Sequence, residues 1–162
     1  MTMPPDGLPL PDMSQITEYL FISSWPRREH TDGLRGLDIR IILSMHLWRP
    51  ASVLGEPPIR LVWLPTIDSP VFPMPISFLR RGVESALPAI QEGYRVMAHC
   101  RYGVHRSVAM ACCVLIGAGY SARDAMQLVR ERRSAADPDI WYIRSRILKF
   151  EEEWLKNPPD DD

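Results

Sequence analysis

At 162 residues the chain has the length of one domain with a sizeable core, and its 46% hydrophobic and 24% charged residues place it among globular rather than disordered or fibrous chains. A formal net charge of −1 excludes a general electrostatic pull toward nucleic acid or an anionic membrane surface, so any basic patch has to be local. The three cysteines, Cys100, Cys112 and Cys113, are odd in number and form no CxxC pair. They point to a reduced, intracellular protein, and four scattered histidines make no metal-ligand cluster.

The opening MTMPPDGLPLPDM lacks the basic start and apolar run of a signal peptide. With Thr2 in place of a glycine and no prenylation box at the end, no lipid anchor is expected, and no stretch is long and apolar enough to span a bilayer. With prolines at 4, 5, 9 and 11, residues 1–13 are expected to form a flexible arm, residues 14–156 one folded domain, and 157–162 an acidic tail. Three early runs, YLFIS (19–23), IRIILSM (39–45) and IRLVWLP (59–65), have the aliphatic and aromatic content of strands. Residues 76–91 place Ile76, Leu79, Val83, Leu87 and Ile90 at helical spacing, with Pro88 expected to kink or shorten the helix. A fourth strand, YRVMAHC (94–100), follows.

Residues 107–118, SVAMACCVLIGA, are apolar on every side and predict a buried helix stopped by Gly117 and Gly119. SARD (121–124) has the capping-box pattern and opens a helix to about Arg133. Asp137 and Pro138 are read as N-cap and first turn of a last helix, with Ile140, Ile143, Ile147, Phe150 and Trp154 on one stripe. Early strands and late helices predict an α/β fold: a central, mainly parallel (mixed) sheet of about four to five strands flanked by helices.

The stretch AHCRYGVHRS (98–107) sits where the fourth strand meets the buried helix. A loop over 101–106 can converge its backbone N–H groups on one point, and the following helix N-terminus adds positive potential. Gly103 permits a left-handed or close-approach backbone, and Arg106 supplies a two-pronged donor matched to phosphate oxygens. Arg101, Tyr102, Gly103, Val104, His105 and Arg106 are therefore the candidate phosphate-binding stretch. Cys100 lies beneath it, where these groups favour the thiolate. The chemistry this implies is attack on phosphorus through a cysteinyl-phosphate intermediate. Ser107 can donate to the sulfur, and His99 is read as holding the loop indirectly. Cys112 and Cys113 fall inside the apolar helix and are read as inert core.

HCRYGVHRS (99–107) matches the HCxxGxxRS signature and resembles the cysteine-dependent protein tyrosine phosphatases, in size most like their small, atypical dual-specificity branch. ITEYLFIS (16–23), IRIILSM, VRERRSAADPD (129–139) and ILKFEEEWL (147–155) are similar to further segments of that branch, so the resemblance covers roughly residues 14–156. It implies an acid about thirty residues before the cysteine. Asp68, in WLPTIDSPVF, lies 32 residues before Cys100 and is the only aspartate between residues 39 and 123; Glu84 and Glu92 fall on or just after a predicted helix. The implied mechanism has Cys100 as nucleophile, Arg106 and the loop amides on the equatorial oxygens, and Asp68 as acid and then base, with no metal and no cofactor. The sequence departs from the family pattern at His105, read as a solvated rim residue, and at Ser134 and Asp139.

The resemblance implies a phosphorylated protein as substrate, on Tyr and on Ser/Thr, because the chain offers no extra loop to deepen the pocket. Trp25, Trp48 and Tyr102 are placed to wall the cleft; for Trp48 a rim position and plain packing are equally open. Three other readings compete: a phosphatase of a phosphoinositide, glycan or RNA 5′ end; a phospho-binding module without activity; and a sulfurtransferase or arsenate reductase. Lipid-directed relatives tend to carry loop lysines, absent from RYGVH. The second reading expects loss of the cysteine, arginine or acid, and the third places its loop elsewhere or needs no Asp68. No nucleic acid and no membrane partner is expected, and the expected state is a cytoplasmic monomer.

Overall fold

Alternation at two-residue period divides the strand residues between two apolar layers, and this organises the computed structural model, which describes residues 7–160. The elements are β1 (Met13–Gln15), β2 (Leu20–Ser23), α1 (Thr31–Gly36), β3 (Ile39–Ser44), β4 (Arg60–Trp63), α2 (Ile76–Gln91), β5 (Arg95–His99), α3 (Arg106–Gly117), α4 (Ala122–Arg132) and α5 (Trp141–Lys156). They form one five-stranded sheet in the order β1-β2-β5-β3-β4. β1 runs antiparallel to β2, and the other three pairings are parallel. The fold is thus the α/β, mixed but mainly parallel sheet that the sequence predicts.

Leu20, Ile22, Leu43, Val96 and Ala98 point to one face, where α2, α3, α4 and α5 close the larger core. Phe21, Ile42 and Met97, their neighbours in the chain, point to the other face and pack with Leu34 and Leu37. Successive strand residues face opposite sides, so both faces of this sheet have to be apolar. Every residue of α3 from Arg106 to Ile116 is buried, as its all-round apolar sequence requires. α2 approaches it closely: a Cβ on Gly82 would lie 2.5 Å from Met110 Sδ, and one on Gly117 would lie 2.6 Å from Val83 Cγ1.

Four local expectations need correction. The arm does not extend to residue 13: Pro11 is buried, and Met13 is buried in β1, paired with Ser23. Residues 1–6 of that expected arm lie outside the described residues. Pro88 does not shorten α2, which runs to Gln91. In the last turn the missing N–H forfeits a single bond, while Pro88 O still accepts from Glu92 N at 3.1 Å. α5 starts at Trp141, with Ile140 as N-cap. Asp137 instead accepts from Asp139 N at 3.2 Å, an Asx-type turn that precedes the helix. β1 and α1, three and six residues long, are additions to the predicted set.

The parallel register aligns Ser23, His99, Ser44 and Trp63 across the carboxyl ends of β2, β5, β3 and β4. Ligand sites of α/β sheets form beyond those ends, and residues 100–105 leave β5 there.

Candidate active site

β5 delivers Cys100 and α3 begins at Arg106, so the loop between them is pinned at both ends by buried structure. Gly103 takes φ +68 at its apex, the left-handed conformation that the sequence reading asks of a glycine. Arg133, 3% exposed, fills the space beneath. Its Nε donates to Gly103 O at 2.8 Å and its Nη2 to Tyr102 O at 3.1 Å. The same guanidinium pairs with Asp12 at 3.0 Å and donates to Ser14 Oγ at 3.1 Å. A Cβ on Gly103 would lie 2.6 Å from Arg133 Nη2. One buried arginine therefore ties two loop carbonyls down, and carbonyls turned toward it leave the loop N–H groups to the opposite side.

Cys100 Sγ lies 3.1 Å from Ser107 Oγ, with both residues buried. Burial opposes ionisation of the thiol and is the largest single influence on it. The Ser107 hydroxyl, the Ser107 and Gly103 amides and the Arg106 charge together outweigh it, leaving the pKa below the ordinary thiol value. Cys112 and Cys113 show the opposite outcome: both are fully buried with no such donors, and their thiols are pushed well up. One cysteine of the three is set up to react.

Arg106, 7% exposed, is anchored by Nη1, which donates to Thr66 O at 2.8 Å and Met45 O at 3.2 Å. Its buried Nε has no partner among the described residues. The guanidinium is fixed on one edge, and its Nε edge is left for an anion. His99 is wholly buried, with Nδ1 3.2 Å from Cys100 O; since a carbonyl only accepts, Nδ1 carries the hydrogen. Burial first, and then the nearby His46 and Arg106 charges, pull its pKa down to about 4, so His99 is neutral at ordinary pH and acts by holding the backbone.

Asp68 lies in the segment after β4 and meets the loop through His105. His105 Nδ1 is 2.9 Å from Asp68 Oδ2, and the Tyr142 hydroxyl donates to Asp68 Oδ1 at 2.7 Å. Burial pushes the carboxyl up, but the His105 and Tyr142 hydrogen bonds and the His105 and Arg106 charges prevail and hold it below its ordinary value. Tyr142 is raised to about 12 by burial and then by Asp68 and Asp137. His105 is thus not a solvated rim residue: its side chain is 20% exposed and is clamped between Asp68 and, at 3.7 Å from Nε2, Asp137. Val104 O accepts from Asp137 N at 3.0 Å, fixing that turn to the loop.

Arg101 and Tyr102 contribute backbone to the loop, while their side chains turn outward; Arg101 Nε donates to Tyr102 Oη at 3.0 Å. Trp25 is half-buried between His46 and His99, and Trp48 is 69% exposed, which makes it a rim residue. Arg133 and Tyr142 are the two site residues that sequence reasoning missed. Arg133 stood inside the quoted VRERRS segment, but nothing in its spacing says that it reaches Gly103. Among the described residues no cluster of His, Cys, Asp or Glu is arranged to hold a metal, and no helix is long and apolar enough to cross a membrane.

Comparison with known proteins agrees with this geometry. The family model described as "Dual specificity phosphatase, catalytic domain" matches residues 20–153. Over 146 residues the chain is 32% identical to dual specificity protein phosphatase 1B of Arabidopsis thaliana, covering 86% of this chain and 82% of that one. It is 26% identical over 148 residues to the tyrosine-protein phosphatase yvh1 of Schizosaccharomyces pombe, covering 91% of this chain but 43% of that protein. The chain thus spans about two fifths of the length of some of its curated relatives. The crystal structure of human DUSP28 superimposes with a TM-score of 0.79 at 20% identity, covering 90% of this chain and 96% of that one. The chain belongs to the dual specificity phosphatase catalytic-domain family.

Proposed function

We propose that the chain is a metal-independent phosphomonoester hydrolase, a dual-specificity protein phosphatase that works through a cysteinyl-phosphate intermediate. The observation that carries the reading is the pairing, at the two ends of one loop, of a buried thiol of lowered pKa with a buried guanidinium whose Nε has no partner among the described residues. Phosphate seated on the loop amides and Arg106 presents phosphorus to Cys100. The thiolate attacks, the phosphorus–oxygen bond to the leaving group breaks, and that oxygen takes its proton from Asp68. Asp68, now a carboxylate, takes a proton from water. The water oxygen bonds to phosphorus, and the sulfur departs as thiolate with Ser107 donating to it. Arg106 and the loop amides stabilise the equatorial oxygens in both steps.

Tyr102 and Arg101 stand exposed at the rim. A shallow site of this kind accepts phosphoserine and phosphothreonine as well as phosphotyrosine, and this supports the dual-specificity reading. We read it further as a cytoplasmic monomer; the free cysteines support a reducing compartment. The test is turnover of a phosphotyrosine peptide, a phosphothreonine peptide and a phosphoinositide in EDTA by the wild type, Cys100→Ser and Asp68→Asn. Peptide turnover abolished by Cys100→Ser and reduced about 10²–10³-fold by Asp68→Asn is expected. Preference for the lipid would overturn the protein-substrate reading, and activity surviving in Cys100→Ser would overturn the mechanism.

A further inference from the structure

Beside the phosphate loop the surface forms a trough that the hydrolytic steps leave unused. Its first part, about 420 Å³, is lined by Trp25, Arg27, His46, Trp48, Arg101 and Tyr102. A second hollow of about 430 Å³ adjoins it and shares four of these residues. The floor is fixed: Trp25 N donates to Arg101 O at 3.0 Å, the Trp25 ring meets His46 edge-on at 4.7 Å, and His46 Nδ1 accepts from Trp48 N at 2.9 Å. The walls are apolar yet wet, with Trp48 69% and Tyr102 65% exposed. Single exposed aromatics are ordinary, but two in one concavity beside a reactive thiol mark a surface that something covers.

Charge says what covers it. Arg27 and Arg101 both line the trough, and neither forms an ion pair among the described residues. Arg101 contacts the Tyr102 hydroxyl and ring instead, the ring centroid at 5.4 Å. Asp12, the carboxylate bordering the second hollow, is already held by Arg133 at 3.0 Å. Elsewhere around the loop, Asp68 and Asp137 are taken up by His105. A chain lying over the trough therefore meets two arginines free to pair with its carboxylates, which favours acidic composition on that flank.

We infer that the trough is a substrate subsite for acidic peptide sequence. With the phosphate on residues 101–106, Asp or Glu side chains on one flank of the phosphorylated residue engage Arg27 and Arg101, and the peptide backbone lies against Trp48 and Tyr102. This rests on the reading of the chain as a protein phosphatase and goes beyond it in naming the sequence that is preferred. Guanidinium–carboxylate pairs at an exposed rim act mainly through kcat/KM and weaken with salt.

The experiment compares peptides with one phosphotyrosine core and Glu, Gln or Lys on one flank or the other, alongside p-nitrophenyl phosphate, which has no flanks. For the wild type at low salt, Glu on one flank is expected to raise kcat/KM about five- to tenfold over Gln, an advantage that shrinks as salt is added. Arg27→Glu should invert that order in favour of Lys. Trp48→Ala should raise KM for every peptide, and Arg27→Glu should hydrolyse p-nitrophenyl phosphate at the wild-type rate. Equal turnover of Glu and Gln peptides, or an unchanged preference in Arg27→Glu, overturns the subsite while p-nitrophenyl phosphate hydrolysis leaves the phosphatase reading standing. No hydrolysis of p-nitrophenyl phosphate by the wild type overturns both.

Discussion

Asp68 accepts hydrogen bonds from Tyr142 and His105, and both favour its carboxylate over the acid that the first step requires. The same contacts hold the Asp68 carboxyl in place beside the loop, with His105 Nδ1 at 2.9 Å. Removing the phenol in Tyr142→Phe takes away a donor to the carboxylate, so the Asp68 pKa rises. In the proposed mechanism Asp68 is protonated in the free enzyme, so the falling, alkaline limb of kcat/KM is expected to move to higher pH. This is checked with a substrate whose leaving group needs a proton; one whose leaving group departs unprotonated should show no displaced limb. At this scale the sequence was informative wherever the chemistry is contiguous. Cys100, Gly103, Arg106 and Ser107 sit within eight residues, and their spacing is their geometry. Asp68 was reached only through the family resemblance, which implies an acid about thirty residues before the cysteine. Arg133 and Tyr142 reach the site from 30 residues beyond Gly103 and 74 beyond Asp68, and His105 was misjudged because its partners come with them. Such contacts are set by tertiary approach and leave no local pattern.

α3 is the element on which the site depends, since it carries Arg106 and Ser107 in its first turn and is buried along its length. It comes close to α2 through Gly117, where an added side chain would meet Val83 at once. Gly117→Leu is therefore expected to cost about 1–3 kcal/mol of stability, read as a lowered denaturant midpoint, with KM unchanged because residue 117 is at the far end of the helix. A lost catalytic site at unchanged stability would contradict this. The helices were legible where a strong period or a cap marks them: α2 by its apolar spacing, and α4 by Ser121, whose Oγ accepts from Asp124 N at 3.1 Å. β1 is three residues long, and α1, TDGLRG, has two glycines in six positions. Both are stabilised by what they pack against rather than by their own sequence. The start of α5 was misplaced because Asp137 and Pro138 are as well suited to a turn as to a helix cap.

For the molecule as a whole, His99 couples the site to acid stability. Burial and then the His46 and Arg106 charges lower its pKa from 6.5 to about 4. The unfolded chain therefore binds this proton more readily than the folded one, and stability present above pH 6.5 is lost as pH falls toward 4. The full effect is on the order of 3 kcal/mol for this group. Urea unfolding across that range should show the slope in the wild type and a flatter one in His99→Gln; equal slopes would contradict the assignment. The α/β class and the loop between a strand and a buried helix follow from strand composition and the apolar helix; the sheet order β1-β2-β5-β3-β4 is set by tertiary pairing and has no local signal. The antiparallel edge strand has none either, because its burial depends on neighbours distant in sequence.

The central claim is that phosphate passes through Cys100. Its most direct test is rapid acid quench of the wild type and of Asp68→Asn during turnover of a phosphotyrosine peptide, followed by mass spectrometry of the proteolysed chain. The account predicts phosphate on Cys100, and none on the chain in Cys100→Ser. Product formation with no phosphate on Cys100 in the quenched wild type and Asp68→Asn samples, or with phosphate on another residue, would contradict it.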